Sequence, residues 1–364
     1  MDFEKLLEKA EKEGILAVDE IAVLLAPPDR EREQALFDAA YRVKKQICGQ
    51  VVNLRGLIEF SNICSRDCLY CGIRRSNQKP HRYTMSADEI VEAAALAVEF
   101  GYGSVVLQSG ERSDEKFVNF VESVVSRIRR LSGDLGITLS CGEESLATYQ
   151  RWRQAGATRY LLRIESSNEK IFQARHPADA VFAERKAALE RLKAADFQTG
   201  SGVMIGLPGQ TVYDLAADVD FFRQMDLDMI GMGPFLPQED TPLGQQFPDR
   251  AEMAKERLQL SLRMIAVVRL VLRDVNIAAT TALQAIDPSF GRERGILAGA
   301  NVIMPNVGDV AFRRDYQLYN GKPNLDENSA VIRQKLADSL AAIGEKPRFN
   351  EAGDPLHYFK RIGK

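Results

Sequence analysis

Eight apolar or β-branched runs, at residues 51–60, 104–108, 136–140, 158–165, 200–206, 228–233, 276–282 and 301–305, alternate with longer amphipathic segments along this chain. Continuous apolar runs separated by helices are the pattern of parallel strands covered on both faces. Eight such units predict an α/β fold of the (β/α)8, TIM-barrel-like kind. The competing doubly wound nucleotide fold would place a GxGxxG turn after its first strand, whereas here the first run leads into SNICSRDCLYCG. No Pro/Gly/Ser-rich linker divides the series. The expected organisation is therefore a helical preface over residues 1–50, one barrel over 51–322, and a C-terminal helical or irregular cap over 323–364.

Charge narrows the partners. With 48 Lys and Arg against 51 Asp and Glu, the formal net charge is -3, which gives no bulk reason to expect nucleic acid or an anionic membrane. The start, MDFEKLLEKAEKEG, reads as a charged helix without the apolar core of a secretory signal. Apolar stretches such as GSVVLQSG fall well short of the ~20 residues of a membrane-spanning helix. A cytoplasmic protein is expected, and in a reducing compartment five cysteines point to metal or thiol chemistry instead of a disulfide framework.

Three of those cysteines, Cys64, Cys68 and Cys71, lie in one CxxxCxxC loop after the first strand, where a barrel places its catalytic mouth. Three thiolates suit a soft metal centre. A tetrahedral zinc site needs four ligands, and only His81 lies nearby. A cubane iron-sulfur cluster needs no fourth protein ligand, because three cysteines can hold three irons and leave the last open. Cys48 and Cys141 stand outside the local spacing.

The loop CSRDCLYCG resembles the signature of the radical S-adenosylmethionine (SAM) superfamily. The resemblance implies one 4Fe-4S cluster whose open iron is chelated by SAM, and reductive cleavage of the sulfonium to methionine and a 5'-deoxyadenosyl radical. Later elements, from YTMSADEI and VVLQSGE through RYLLRIESSN, GVMIGLPGQT and ATTALQAIDP to YQLYNGK, resemble the branch that holds biotin synthases, methylornithine synthases and, most of all, the HydE maturases of iron-iron hydrogenases.

Several cofactor contacts follow from that resemblance. Tyr70 would lie against the adenine, although packing the loop against the barrel fits the residue type equally well. Gln108 to Glu111 corresponds to the segment that meets the methionine ammonium; a helix-start or surface role is the other reading of Glu111. Glu165 would hold the ribose hydroxyls, or else pair with Arg159 or Arg163. Alternation puts Arg163 beside it on the same face, lining the pocket. Arg185 resembles the arginine that meets the methionine carboxylate bidentately, but sits in a helical charge run. Met204 is an apolar wall beside adenosine or a core methionine, and the glycines of its segment are expected to let the chain approach the cofactor.

Polar strand ends speak for the substrate. Thr138, Ser140, Thr280, Thr281 and Asn306 predict a polar chamber for a small amino-acid-like molecule or an anionic iron complex, with backbone capping as the alternative for the hydroxyls. Tyr316 and Tyr319 resemble tyrosines that line this family's cavity, or anchor the C-terminal cap; Arg313 and Arg314 are expected to help close the chamber. His176 and His357 have no ligand pattern nearby and read as surface or hydrogen-bonding residues.

The reaction implied is that of a HydE-like maturase acting on an iron-bound cysteine precursor during assembly of the diiron subcluster of FeFe-hydrogenase. A reductant protein such as ferredoxin or flavodoxin, and partner maturases, are implied with it. The alternatives are a lysine mutase of the methylornithine synthase type and a non-enzymatic iron-sulfur scaffold. A sulfur inserter of the biotin synthase type would need a second cluster, for which Cys141 alone gives no ligand set. The stretch YNGKPNLDENSAVIRQKL also lacks the accessory cysteines that some HydE proteins carry there.

Overall fold

The computed structural model describes residues 2–248 and 251–363. Eight parallel strands form the centre: β1 (Val51–Ser61), β2 (Ser104–Ser109), β3 (Gly136–Ser140), β4 (Arg159–Leu161), β5 (Gln198–Ser201), β6 (Met229–Ile230), β7 (Asn276–Ile277) and β8 (Val302–Ile303). Each from β1 to β6 pairs with its successor, and β8 pairs with β1 through Asn53↔Val302 and Leu54↔Ile303, so that β7 and β8 stand at the two ends of the ladder. Between β7 and β8 the link is short: Asn301 N–H donates to Ile277 O and Ala279 N–H to Val302 O, both at 2.9 Å, around an Ala278↔Val302 bridge. The fold is an α/β architecture of the TIM-barrel-like kind, a central parallel sheet curled into an open barrel and flanked by helices, with its mouth at the C-terminal strand ends.

All eight runs hold strands, but the later ones are shorter than their apolar runs. The 158–165 run leaves the sheet after Leu161, and Glu165, at φ 65°, returns only through a bridge to Val203. The 276–282 run gives two residues of strand before the helix Thr281–Ile286. The 200–206 and 228–233 runs each break, and their distal parts, Met204–Ile205 and Gly233–Pro234, pair with each other to extend the wall at the mouth.

The helices form where capping and periodicity agree. Ala87–Glu99 starts at a capping box, with Glu89 N–H donating to Ser86 Oγ and Ser86 N–H to Glu89 Oε2. It buries Ile90, Ala93, Ala94 and Ala97, an i, i+3, i+4, i+7 stripe, toward the sheet. Ahead of β1 lie the helices Phe3–Glu13, Val18–Leu25 and Arg30–Cys48, the second packed on Val212–Gln224. Among the described residues no helix is long and apolar enough to cross a membrane.

The C-terminal stretch closes the end of the barrel opposite the cysteines. Strand β9 (Lys346–Arg348) pairs with β1 at Val51 to Asn53, near the start of that strand. Beyond it, fully buried Arg159 donates to Ala352 O at 2.8 Å and pairs with Asp354, while Asn276 Nδ2 donates to Gly353 O at 2.8 Å. The contact is close enough that a Cβ on Gly103 would come within 1.6 Å of Glu351 O. Arg159 is therefore a strut of the barrel floor and not a partner of Glu165.

Candidate active site

The segment after β1 arches over the barrel mouth on a polar frame of its own. Arg82 donates to the carbonyls of Asn62, Ile73, Arg74 and Asn77 at 2.6 to 2.8 Å. Asp67 accepts from Arg74 Nε at 2.8 Å and Ser76 N–H at 3.0 Å. The loop meets the end of β2 at Gly110, where a Cβ would come within 2.4 Å of Ile63 O. Ser65 N–H donates to Glu111 O at 2.8 Å, and the Cys64 sulfur accepts from the backbone N–H groups of Arg66 and Glu111, each at 3.4 Å.

Beneath this loop is a cavity of about 300 Å³. Cys64, Cys68 and Cys71 line it, with Tyr70 between them. Gln108 and Glu111 reach it from β2, Ser140 from β3, Arg163 and Glu165 from the chain after β4, and Arg185 from the helix Phe182–Ala194. Met204, Thr280, Thr281, Tyr316 and Tyr319 complete the set that the sequence singled out. Asn306 lies outside the lining, and so does Thr138. Thr138 is 2% exposed in the barrel interior, in a smaller void beside Arg55 and Met229, because its position within β3 is two residues below the mouth.

Charges converge at one side of the mouth. Arg185 Nε pairs closely with Glu143, and its Nη2 lies 3.7 Å from Glu111 Oε2. Arg66, from the cysteine loop, pairs closely with Glu111 and lies 3.4 Å from Glu143. The four side chains neutralise one another in a half-desolvated rim. Across the cavity, Lys322 Nζ donates to Glu59 Oε2 at 2.5 Å and to Tyr316 O at 2.8 Å. Arg66, Glu143, Glu59, Lys322 and Arg82 were not among the residues picked from the sequence; the position of Arg66 inside the cysteine loop was the available signal.

Burial raises the thiols. The Cys64 thiol is pushed up, and Cys68 is pushed up to about 12, with nearby Arg185 pulling the other way. Such thiols stay protonated until a cationic metal displaces the proton. Burial likewise raises the Glu165 carboxyl against the pull of Arg163 and then Arg185. Arg163 Nη2 lies 3.1 Å from Glu165 Oε2, but the angle leaves that buried oxygen without a hydrogen-bond donor. The ion pair expected from alternation is present, and Glu165 lines the cavity beside it.

A model of the radical SAM superfamily matches residues 58–222. The [FeFe] hydrogenase maturase subunit HydE of Thermotoga maritima is 40% identical over 344 residues, covering 94% of this chain and 95% of its own length. The chain belongs to the radical SAM superfamily. A 3-methylornithine synthase of Methanosarcina acetivorans is 27% identical and is covered, like this chain, over 83% of its length. The crystal structure of the methylornithine synthase PylB superposes with a TM-score of 0.80 at 24% identity, over 95% of this chain and 98% of that one, a likeness of fold.

Radical SAM membership implies an iron-sulfur cofactor and SAM, and the residues present fit both. The donors on the cavity wall are three thiols. Thiols are the soft ligands that an iron-sulfur cluster takes, and three of them on one cavity wall would leave a fourth iron without a protein ligand. Glu165 sets a carboxyl group on the same wall, one of its oxygens lacking a hydrogen-bond partner. Tyr70, Met204 and Phe235 line the cavity and pack together over buried Ile171 and Leu207, an apolar wall of the kind a planar ring can lie against.

Other expected features of this radical SAM site fall elsewhere. Arg313 is buried, holding Gly308 O and Glu327 O, and Arg314 pairs at the surface with Asp326, so neither closes the chamber. Asn306 donates to Glu59 at 2.9 Å. In the Met204 segment, a Cβ on Gly202 would meet Gly231 O at 2.0 Å and one on Gly206 would meet the Arg257 side chain. These two glycines admit neighbouring protein, not a ligand. Cys141 is fully buried and lies outside the cavity lining. His357 bridges Asp226 and Asp274, and His176 is buried beneath Tyr70, so hydrogen bonding, not exposure, describes both.

Proposed function

We propose that this radical SAM enzyme does the work of a HydE maturase, acting on an iron-bound cysteine precursor in assembly of the FeFe-hydrogenase diiron subcluster. The observation that carries the reading is the 40% identity to HydE along nearly the whole of both chains. Cys64, Cys68 and Cys71 would hold one 4Fe-4S cluster, leaving an iron for SAM. Bound together, cluster and SAM supply a 5'-deoxyadenosyl radical through reductive cleavage of the sulfonium.

Around them this chain binds and orients. Arg185 and Glu111 present opposite charges to the carboxylate and ammonium of the methionine end, Glu165 accepts from the ribose hydroxyls, and Tyr70 with Met204 flanks the adenine. Gln108 lies beside the methionine end. The remaining wall, with Ser140, Arg163, Thr280, Thr281, Tyr316 and Tyr319, takes the substrate. The Arg163 Nε, buried without a partner, is a donor for an anionic group there. Enclosure by the loop keeps water and stray hydrogen donors from the radical. The partners in this reading are a cytoplasmic reductant protein such as ferredoxin or flavodoxin, and the maturases that deliver and receive the iron complex.

The test is anaerobic reconstitution and reduction, with product analysis in the presence of the iron-cysteine precursor or of lysine. Precursor-dependent consumption of SAM with adenosyl transfer to sulfur supports the proposal. Methylornithine formed from lysine would replace it with the mutase reading.

A further inference from the structure

We propose that His176 is a positioning residue that fixes the Tyr70 ring against the cavity by accepting a hydrogen bond from its hydroxyl. The proposal rests on the placement of Tyr70 at the adenosine wall given above.

His176 follows the short helix Glu169–Gln173 and is 5% exposed. Its ring stacks on Phe172, with centroids 3.9 Å apart and planes 17° from parallel. Its Nδ1 lies 2.8 Å from Phe172 O. A carbonyl can only accept, so Nδ1 carries the proton and Nε2 presents a lone pair. That lone pair faces the Tyr70 hydroxyl at 3.1 Å, and the two rings meet edge to face at 5.4 Å. The tautomer, and with it the direction of the Tyr70 bond, is thus set by the backbone of the helix. Burial lowers the imidazole to about 4, which keeps it neutral and able to accept.

The backbone repeats the grip one residue away, where Leu69 N–H donates to Arg175 O at 2.9 Å. Residues 175 and 176 therefore hold residues 69 and 70 of the cysteine loop by one main-chain and one side-chain bond. The same segment begins at Glu165, so the strap joins the carboxylate assigned to the ribose to the aromatic assigned to the adenine. An aromatic side chain held in one rotamer loses less freedom when a ligand stacks on it.

The test measures SAM affinity on reconstituted protein with matched iron and sulfide content, together with the change that SAM causes in the electron paramagnetic resonance spectrum of the reduced cluster. Tyr70→Phe and His176→Phe should each weaken SAM binding by about fivefold, the scale of one neutral hydrogen bond, and the double variant should be no weaker than either. His176→Gln, which keeps an acceptor, should recover most of the affinity. Additive losses in the double variant, or full affinity in His176→Phe when Tyr70→Ala binds weakly, would overturn the role of His176. Unchanged affinity in Tyr70→Ala would instead overturn the placement of Tyr70 on which it rests. Tyr70→Phe removes only the donor, so the comparison stands even where His176→Phe folds poorly.

Discussion

Arg185 Nη2 and Glu111 Oε2 face each other at 3.7 Å across the rim of the cavity, the cation and the anion assigned to the two ends of one zwitterion. Glu143 and Arg66 flank them as a second pair of opposite sign. In the proposed reading the carboxylate and ammonium of the methionine moiety would meet Arg185 and Glu111, with Glu143 and Arg66 supplying a further anion and cation on the rim.

Arg185→Ala should therefore act twice. It removes the carboxylate contact, lowering SAM affinity more than about tenfold, and it leaves Glu143 without its principal partner in a buried site, costing on the order of 3 kcal/mol of stability. Arg185→Lys keeps the charge and should restore stability more than affinity, because the planar fork is lost. Denaturant unfolding and SAM titration of both variants separate the two effects.

Asp218 predicts a pH dependence. Burial pushes its carboxyl up to about 7, against hydrogen bonding from Ser167 N–H at 2.6 Å, and its Oδ2 has no partner. The folded state then keeps a proton that the unfolded chain releases near pH 4, so Asp218 makes stability fall as pH rises from about 4 to 7, and level off above. Asp218→Asn should leave stability at pH 4 nearly unchanged and raise it at pH 8 by as much as about 4 kcal/mol. Unfolding midpoints at the two values check it.

The barrel floor should be separable from the mouth. Arg159→Met leaves Asp354 half-buried and uncompensated beside Gln198, which should cost about 3 kcal/mol while SAM affinity stays within about twofold. Faster proteolysis of the C-terminal stretch would accompany it.

Thr138→Val tests the placement below the cavity. The Thr138 hydroxyl is buried with no partner, so its replacement by a methyl should be neutral or stabilising by about 1 kcal/mol and should not alter SAM binding. A loss of SAM affinity would return Thr138 to the chamber.

The barrel was legible because strands covered on both faces read as unbroken apolar runs, and the cysteine loop because three soft ligands at close spacing have few other uses. Strand ends were not, since Glu165 departs from extended geometry at φ 65° and no side-chain type announces that. Polar residues at strand ends found most of the cavity, but missed by two residues at Thr138. Arg66 and Glu143 carry no spacing signal of their own, and only the fold brings residues 66, 111, 143 and 185 together. The route of residues 351–354 to the barrel floor was equally hidden, because it depends on contacts with Arg159 and Asn276 far away in sequence.

The central proposal is that the cavity under the cysteine loop is a site of reductive SAM cleavage. The direct measurement is 5'-deoxyadenosine formed by reconstituted, reduced protein incubated with SAM under anaerobic conditions, beside Cys68→Ala prepared in the same way. Nucleoside is expected from the unaltered chain and none from the variant. Absence of nucleoside from protein with verified iron and sulfide content and verified reduction, or its equal formation by Cys68→Ala, would contradict the proposal.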